Sequence, residues 1–304
     1  MTAQEASRPL LTVVVASFRS QQLVEECVDA LDVANTTQLP PVPVLLARGG
    51  DGKDVRHLTR GRPWLRVIPT GSSDSIPELR GTGMLAAESG WVAVTEDHCL
   101  VDPDWLTVLL GETRRKVDVV GGGMGNARPG PVNWGAYFAE YGFFSSARPQ
   151  QDGFVLITGA NVMYGPSVVG EVAAWAKDGL WEDVVHQRLF EDGSRLTFAP
   201  SARVRQNGTY GFVAFCQDRY EHGRDYARVR LREQGVSRAV RLLTLPLLPF
   251  VLFGRVRRAA RGEDPRMFRL AALHTFAFLT AWAVGEGAGY LIGSIPAADP
   301  PDLH

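Results

Sequence analysis

The chain is poor in cysteine and nearly without lysine. Cys27, Cys99 and Cys216 are odd in number and form no CxxC pair. That argues against a disulfide framework and a cysteine-rich zinc module, and makes a reducing, cytoplasmic setting the default. Lysine occurs only at Lys53, Lys116 and Lys177. Positive charge is therefore almost all arginine, a bias that a GC-rich genome gives with no functional meaning. The formal net charge is only −1 over 304 residues, which argues against a generic nucleic-acid binder. A hydrophobic fraction of 45% with 21% charged residues excludes a disordered or collagen-like chain. A secretory signal is also missing. Met1 to Pro9 holds Gln4, Glu5 and Arg8 and runs straight into the valine-rich Leu10–Ala16, too short for a signal core and suited to a buried parallel strand.

What charge there is lies unevenly. Between Arg219 and Arg269 stand thirteen arginines against five acidic residues, a local net of +8. Apolar runs accompany them: Leu242–Gly254, which carries Pro246 and Pro249, and Leu270–Gly293, interrupted by His274 and Glu286. The second run is about as long as a helix that crosses a bilayer. The pattern predicts an interfacial or re-entrant segment, a basic cytoplasmic loop and one membrane span. The alternative is a buried hairpin packed on the body, which Glu286 favours because a carboxylate facing lipid is costly. The expected division is a catalytic domain over 1–215 and a basic, hydrophobic helical region over 216–304.

The body alternates strand and helix. Leu10–Ala16, Val42–Ala47, Leu65–Ile68 and Trp91–Thr95 read as strands, with helical spacing over Leu23–Val33 and Ile76–Ser89. The second helix follows a polar Ser72-Ser73-Asp74-Ser75 cap region. This order implies a mostly parallel sheet with right-handed crossovers, whose ligands bind beyond the carboxyl ends of the strands. Glu96-Asp97-His98 falls at one such end.

Four blocks in order carry a resemblance. LTVVVASFRS resembles an opening strand and "IPTYN" turn. RGTGMLAAESGWVAVTEDHCLVDPDWL resembles "RNxGxxxAxGxxIxFLDDDxxxxPxWL". TGANVMYGPSVV keeps Gly159 and Asn161 of "GxNxxxRR". WEDVVHQRLFEDGSRLTFAPSARV keeps Glu182, Asp183, Arg188 and Pro200 of an acidic-pair block. Together, over roughly residues 10–210, the chain resembles a family 2 glycosyltransferase with the GT-A nucleotide-sugar fold, of hexosyltransferase type. The resemblance implies donor contacts at Ser17, Phe18, Arg19, Arg80, Glu96, Asp97 and Asn161. It also implies a divalent metal ion (Mn2+ or Mg2+) at Asp97 and His98, and catalysis by Asp183 with Glu182 beside it. Transfer from a nucleotide sugar needs a positive group at the departing diphosphate and a carboxylate that takes the acceptor's proton.

The chain also departs from the pattern. Ala47 and Arg48 stand where the family has an acidic pair, with Asp51 and Asp54 as nearby substitutes, and His98 replaces an aspartate. Gln206 or Asn207 stands near the place of a histidine that meets the metal or diphosphate. Arg80 is open to a helix-face reading, Glu182-Asp183 to a helix-end reading, and His186 reads as an ordinary helix residue. The aromatic stretch Trp134 to Phe144 reads as core, or, flanked by Pro129-Gly130-Pro131 and Pro149, as a surface insertion for a lipid or sugar acceptor.

Three functions fit. The first is a membrane-associated inverting glycosyltransferase at the cytoplasmic face of the cell membrane. Its partners would be a nucleotide-sugar donor, a lipid-linked or cell-envelope acceptor and the membrane surface, with no nucleic acid. The second is a catalytically reduced binding or assembly protein of the same build. The third is a nucleotidyltransferase, which would want a glycine-rich loop where Ala16-Ser17-Phe18-Arg19-Ser20 has none.

Overall fold

A computed structural model describes residues 8–146, 154–233, 237–260 and 263–292. Pro149, the N-terminal segment 1–7 and the end of the last apolar run from residue 293 lie outside the described residues. By internal contacts the chain divides into two units, one of residues 1–127 and 144–208, the other of 128–143 and 209–304. The aromatic stretch thus groups with the C-terminal region.

The first unit is an α/β fold. Its strands are β1 (Leu11–Ser17), β2 (Val44–Gly49), β3 (Leu65–Thr70), β4 (Trp91–Glu96), β5 (Cys99–Val101), β6 (Val119–Asn126), β7 (Asn161–Tyr164) and β8 (Leu196–Gln206). They form one sheet in the order β3-β2-β1-β4-β7-β6-β8-β5. The pairs among β3, β2, β1 and β4 are parallel, as is β6 with β8, whereas β7 runs antiparallel to both neighbours. The helices of this unit are α1 (Gln21–Asn35), α2 (Ile76–Leu85), α3 (Trp105–Glu112), α5 (Val169–Lys177) and α6 (Glu182–Glu191). Every residue of β1 is buried, as a strand covered on both faces demands. Val14, Leu45, Val92, Val94 and Val162 from the sheet meet Val172, Ala173 and Ala176 of α5 in the core. Helix α2 starts where the polar cap region predicts: the Glu78 side chain accepts the Ser75 backbone N–H at 2.6 Å, the reach-back bond of a capping box.

The second unit holds α4 (Pro131–Tyr141), α7 (Phe212–Glu233), α8 (Arg238–Thr244), α9 (Leu248–Ala259) and α10 (Pro265–Ile292). Phe278 of α10, Phe215 of α7 and Ala136 of α4 make its core, the two rings meeting edge to face at 4.7 Å. Tyr137 and Phe138 are fully buried, so the aromatic stretch is core and not a surface insertion. Glycines let α7 and α10 cross closely, because a Cβ on Gly285 would collide with the Tyr220 carbonyl oxygen and one on Gly223 with that of Trp282. Glu286 is buried but partnered. It accepts from Tyr290 Oη at 2.8 Å and Trp282 Nε1 at 3.2 Å, and Arg230 lies 3.7 Å away. Two helical stretches, Arg238–Ala259 and Pro265–Ile292, are long and apolar enough to cross a membrane.

Candidate active site

Strand register assembles the site. Ser17 pairs with Arg48 across β1 and β2, and Ala16 with Glu96 across β1 and β4. The carboxyl ends of three parallel strands therefore lie side by side. Antiparallel β7 begins where β4 ends, with Asn161 opposite Thr95, which brings the loop before it, with Gly159, to the same edge. The β5–β8 pairing sets Cys99 opposite Gln206, and the Asn207 N–H donates to the His98 carbonyl at 2.7 Å.

Asp97 organises the turn after β1. It is fully buried. Its Oδ2 accepts the backbone N–H groups of Phe18 and Arg19, each at 2.7 Å, and the Ser17 hydroxyl at 3.0 Å. Arg48 closes this cluster, donating to Ser17 Oγ at 3.1 Å, the Arg19 carbonyl at 2.8 Å and Asp54 Oδ2 at 2.8 Å, with Asp97 Oδ2 at 3.7 Å. The turn is thus held by a carboxylate and a guanidinium rather than by glycine. Asp54, weighed as a substitute acid, is Arg48's partner, while the largely exposed Asp51 pairs with Lys53.

His98 packs against both acids of its own motif. Its Nδ1 lies 3.4 Å from Glu96 Oε2 and 3.9 Å from Asp97 Oδ1, and its ring meets Phe18 edge to face at 6.1 Å. Burial alone would lower its pKa. The negative charges of Asp97 and Glu96 beside it outweigh that and raise it.

Arg80 joins the two acidic motifs. Only 6% exposed, it donates to Glu96 Oε1 and, at 2.8 Å, to Glu182 Oε2. Glu182 also accepts the Gly159 N–H at 3.1 Å. Gly159 lets the guanidinium sit here, since a Cβ would displace it. Burial would raise the Glu182 pKa, but Arg80 overrides it and holds the carboxyl at about 2. Asp183 follows, half-buried, in the first turn of α6. Below them the Tyr164 hydroxyl lies 2.9 Å from His186 Nε2. His186 is fully buried, and chiefly that burial lowers its pKa to about 4.

The structure therefore gathers Ser17, Phe18, Arg19 and Asp97 in one bonded cluster and Arg80, Glu96 and Glu182 in another, with His98 between their acids and Asp183 adjoining in sequence. Asn161 is placed differently from the expected donor contact. Fully buried, its amide donates to the Gly123 and Ala202 carbonyls at 3.0 and 2.8 Å and accepts from Trp105 Nε1 at 3.0 Å. It clamps strands to α3. Arg48 and the Gly159 N–H join these clusters without having been expected as site residues. The charge reversal at the end of β2 and the place of Gly159 in the third block were the available signals.

The metal pair expected at Asp97 and His98 offers two side chains, and Asp97 Oδ1 is buried without a hydrogen-bond partner. Among the described residues no group of three His, Cys, Asp or Glu side chains could hold a metal ion. Glu96 answers Arg80 and Asp97 Oδ2 already takes three donors, which leaves Asp97 Oδ1 beside His98.

No protein-family model matches the sequence, and no curated protein matches it either. Solved structures do match in fold. A mannosyltransferase, PcManGT from Pyrobaculum calidifontis in complex with GDP-Man and Mn2+, aligns with a TM-score of 0.57 at 16% identity, over 92% of this chain and 87% of that one. S. aureus TarS 1–349 aligns with a TM-score of 0.51 at 13% identity, over 91% and 90%. Its complex with UDP-GlcNAc gives 0.52 at 9%, over 95% and 93%. The fold is that of glycosyltransferases of the GT-A type.

Proposed function

We propose that the chain is a family 2-like glycosyltransferase, moving a sugar from a nucleotide-sugar donor to an acceptor hydroxyl with inversion at the anomeric carbon. The observation that carries this reading is the convergence of the β1 turn, Glu96-Asp97-His98 and Glu182-Asp183 at one sheet edge, where Arg80 joins Glu96 to Glu182. The fold neighbours solved with GDP-Man and UDP-GlcNAc support the donor class.

Asp183 is the base. Its carboxylate takes the acceptor hydroxyl's proton as that oxygen bonds to the anomeric carbon. The bond from that carbon to the diphosphate breaks, and the diphosphate leaves with the electron pair. Glu182 positions rather than reacts, because its oxygens serve Arg80 and Gly159. Asp97 shapes the turn that receives the donor, and Arg19 and Arg48 place positive charge beside the leaving group. Asn161 acts by fixing the strands beneath. The acceptor is lipid-linked or part of the cell envelope, met at the cytoplasmic face of the membrane. This assignment comes from the apolar, basic C-terminal region.

Asp183→Asn keeps the side chain's size but cannot take a proton. Turnover should fall by roughly 10²–10⁴-fold with donor affinity little changed. NMR of the parent's product should show the anomeric configuration inverted. Full activity in the variant, or a retained configuration, contradicts the mechanism. A second reading, a binding protein with reduced catalysis, is favoured by one observation: Glu96, Asp97 and His98 are all engaged internally. It predicts donor binding without release of the nucleoside diphosphate.

A further inference from the structure

The second unit presents an apolar face with no partner among the described residues. Val240, Leu243, Leu247, Phe250 and Val251 are all exposed, Leu243 by 80%. Their spacing of three, four and three or four residues places them along one side of the nearly continuous helical stretch from α8 to α9. Leu270 and Leu273 of α10 are exposed as well, Leu273 by 84%. Stacking of Phe276 on Phe250 and Phe253, at 5.2 and 5.7 Å, and of Phe268 on Phe253, at 5.4 Å, holds the start of α10 against α9. The apolar side chains therefore belong to one assembled surface, not to separate helices.

The exposed charge on α8 and α9 has one sign. Residues 238–260 contain no acidic side chain. Arg238, Arg255, Arg257 and Arg258 are exposed on α8 and α9, and Arg266 and Arg269 are exposed at the start of α10. Of the two acids that precede α10, Glu263 is half-buried and Asp264 is turned to its own helix, where it accepts the Arg266 and Met267 backbone N–H groups. A protein partner or a second copy would need acids to match these arginines. An anionic lipid surface offers both phosphate and hydrocarbon.

A bilayer crossing by α10 suits the geometry poorly. Its inner side is closed by α7 and α4, and its buried Glu286 answers Arg230 of α7. Helix α7 itself carries Arg219, Arg224, Asp225, Arg228 and Arg230. Taking α10 into hydrocarbon would take that charged helix with it, at high cost. Pro246 and Pro249 mark the 3-10 turn, Leu245–Leu247, that joins α8 to α9, as suits a segment lying in an interface rather than a straight span.

We propose that the protein docks monotopically on anionic membranes. The Val240–Val251 face of α8 and α9, with Leu270 and Leu273, enters the headgroup region, the neighbouring arginines contact lipid phosphates, and no helix crosses. The proposal gives the membrane association in the functional reading a defined surface. Its observations lie in the second unit alone and stand whether or not the transferase reading holds.

Flotation of the full chain with vesicles tests it. Phosphatidylcholine vesicles containing about a third phosphatidylglycerol should carry the protein upward, and pure phosphatidylcholine should not. Replacing Arg255, Arg257 and Arg258 together by Gln should weaken binding by roughly a hundredfold. Leu243→Glu with Leu247→Glu should abolish it while leaving the thermal unfolding midpoint in place, because both side chains are exposed. Failure of the parent to float with anionic vesicles, or unchanged binding in either variant, overturns the proposal. So does a Leu243→Glu/Leu247→Glu protein that stays in cell membranes until detergent is added, because that marks a spanning helix. Donor binding, measured on the same variants, should be unaffected, which keeps this test separate from that of the site.

Discussion

At the scale of single residues, one guanidinium decides how the two acidic motifs behave. Arg80 sits between Glu96 and Glu182, and removing one member of a buried ion pair typically costs about 3–5 kcal/mol. The Glu182 side chain is 20% exposed, so Glu182→Gln should fall at the low end, about 3 kcal/mol at neutral pH. The pH dependence has a definite sign. A carboxyl whose pKa drops on folding from 4.5 to about 2 binds fewer protons folded than unfolded. Its stabilising contribution is complete above 4.5 and disappears as the pH falls toward 2. Unfolding midpoints of parent and Glu182→Gln should therefore differ at pH 7 and converge across that window. A gap that stays constant throughout would contradict the Arg80 bridge.

At the scale of elements, close approach sets the tolerance for change. The α7–α10 crossing at Gly223 and Gly285 leaves no room for a Cβ against the facing carbonyl oxygens. Gly285→Ala should force the helices apart and cost on the order of 1–3 kcal/mol, read as a lower melting temperature. An unchanged melting temperature would mean that the helices do not cross at this distance. Much of this level was legible in the sequence. β1 is a pure valine-rich run, α2 has its cap, and β4 leads into its acidic cluster, so local pattern alone placed all three. The antiparallel insertion of β7 between β4 and β6 was not legible, because its pairing depends on contacts far apart in sequence. The Trp134 to Phe144 stretch left core and surface insertion both open for the same reason: flanking prolines suggest a surface loop, but the partners that bury Tyr137 and Phe138 come from a different part of the chain. Asn161 kept its place in the motif, yet its satisfied amide shows that motif position does not say whether a side chain faces a ligand or the core.

At the scale of the whole molecule, a GT-A fold carries an edge where the diphosphate would meet arginines and the Glu96-Asp97-His98 motif. Because Glu96 answers Arg80 and Asp97 Oδ2 already has three donors, replacing Mn2+ by EDTA should change donor affinity by no more than a few-fold. Complete loss of binding in EDTA would mean that the internal bonds give way to a metal ion. The most direct measurement of the central claim is titration calorimetry of the full chain with GDP-mannose, UDP-GlcNAc and dTDP-glucose, repeated on Asp97→Asn. That substitution removes the charge on which the Phe18 and Arg19 N–H groups converge. The account predicts saturable binding of at least one donor by the parent and at least tenfold weaker binding by the variant. Donors that bind neither protein, or bind both equally, would contradict it.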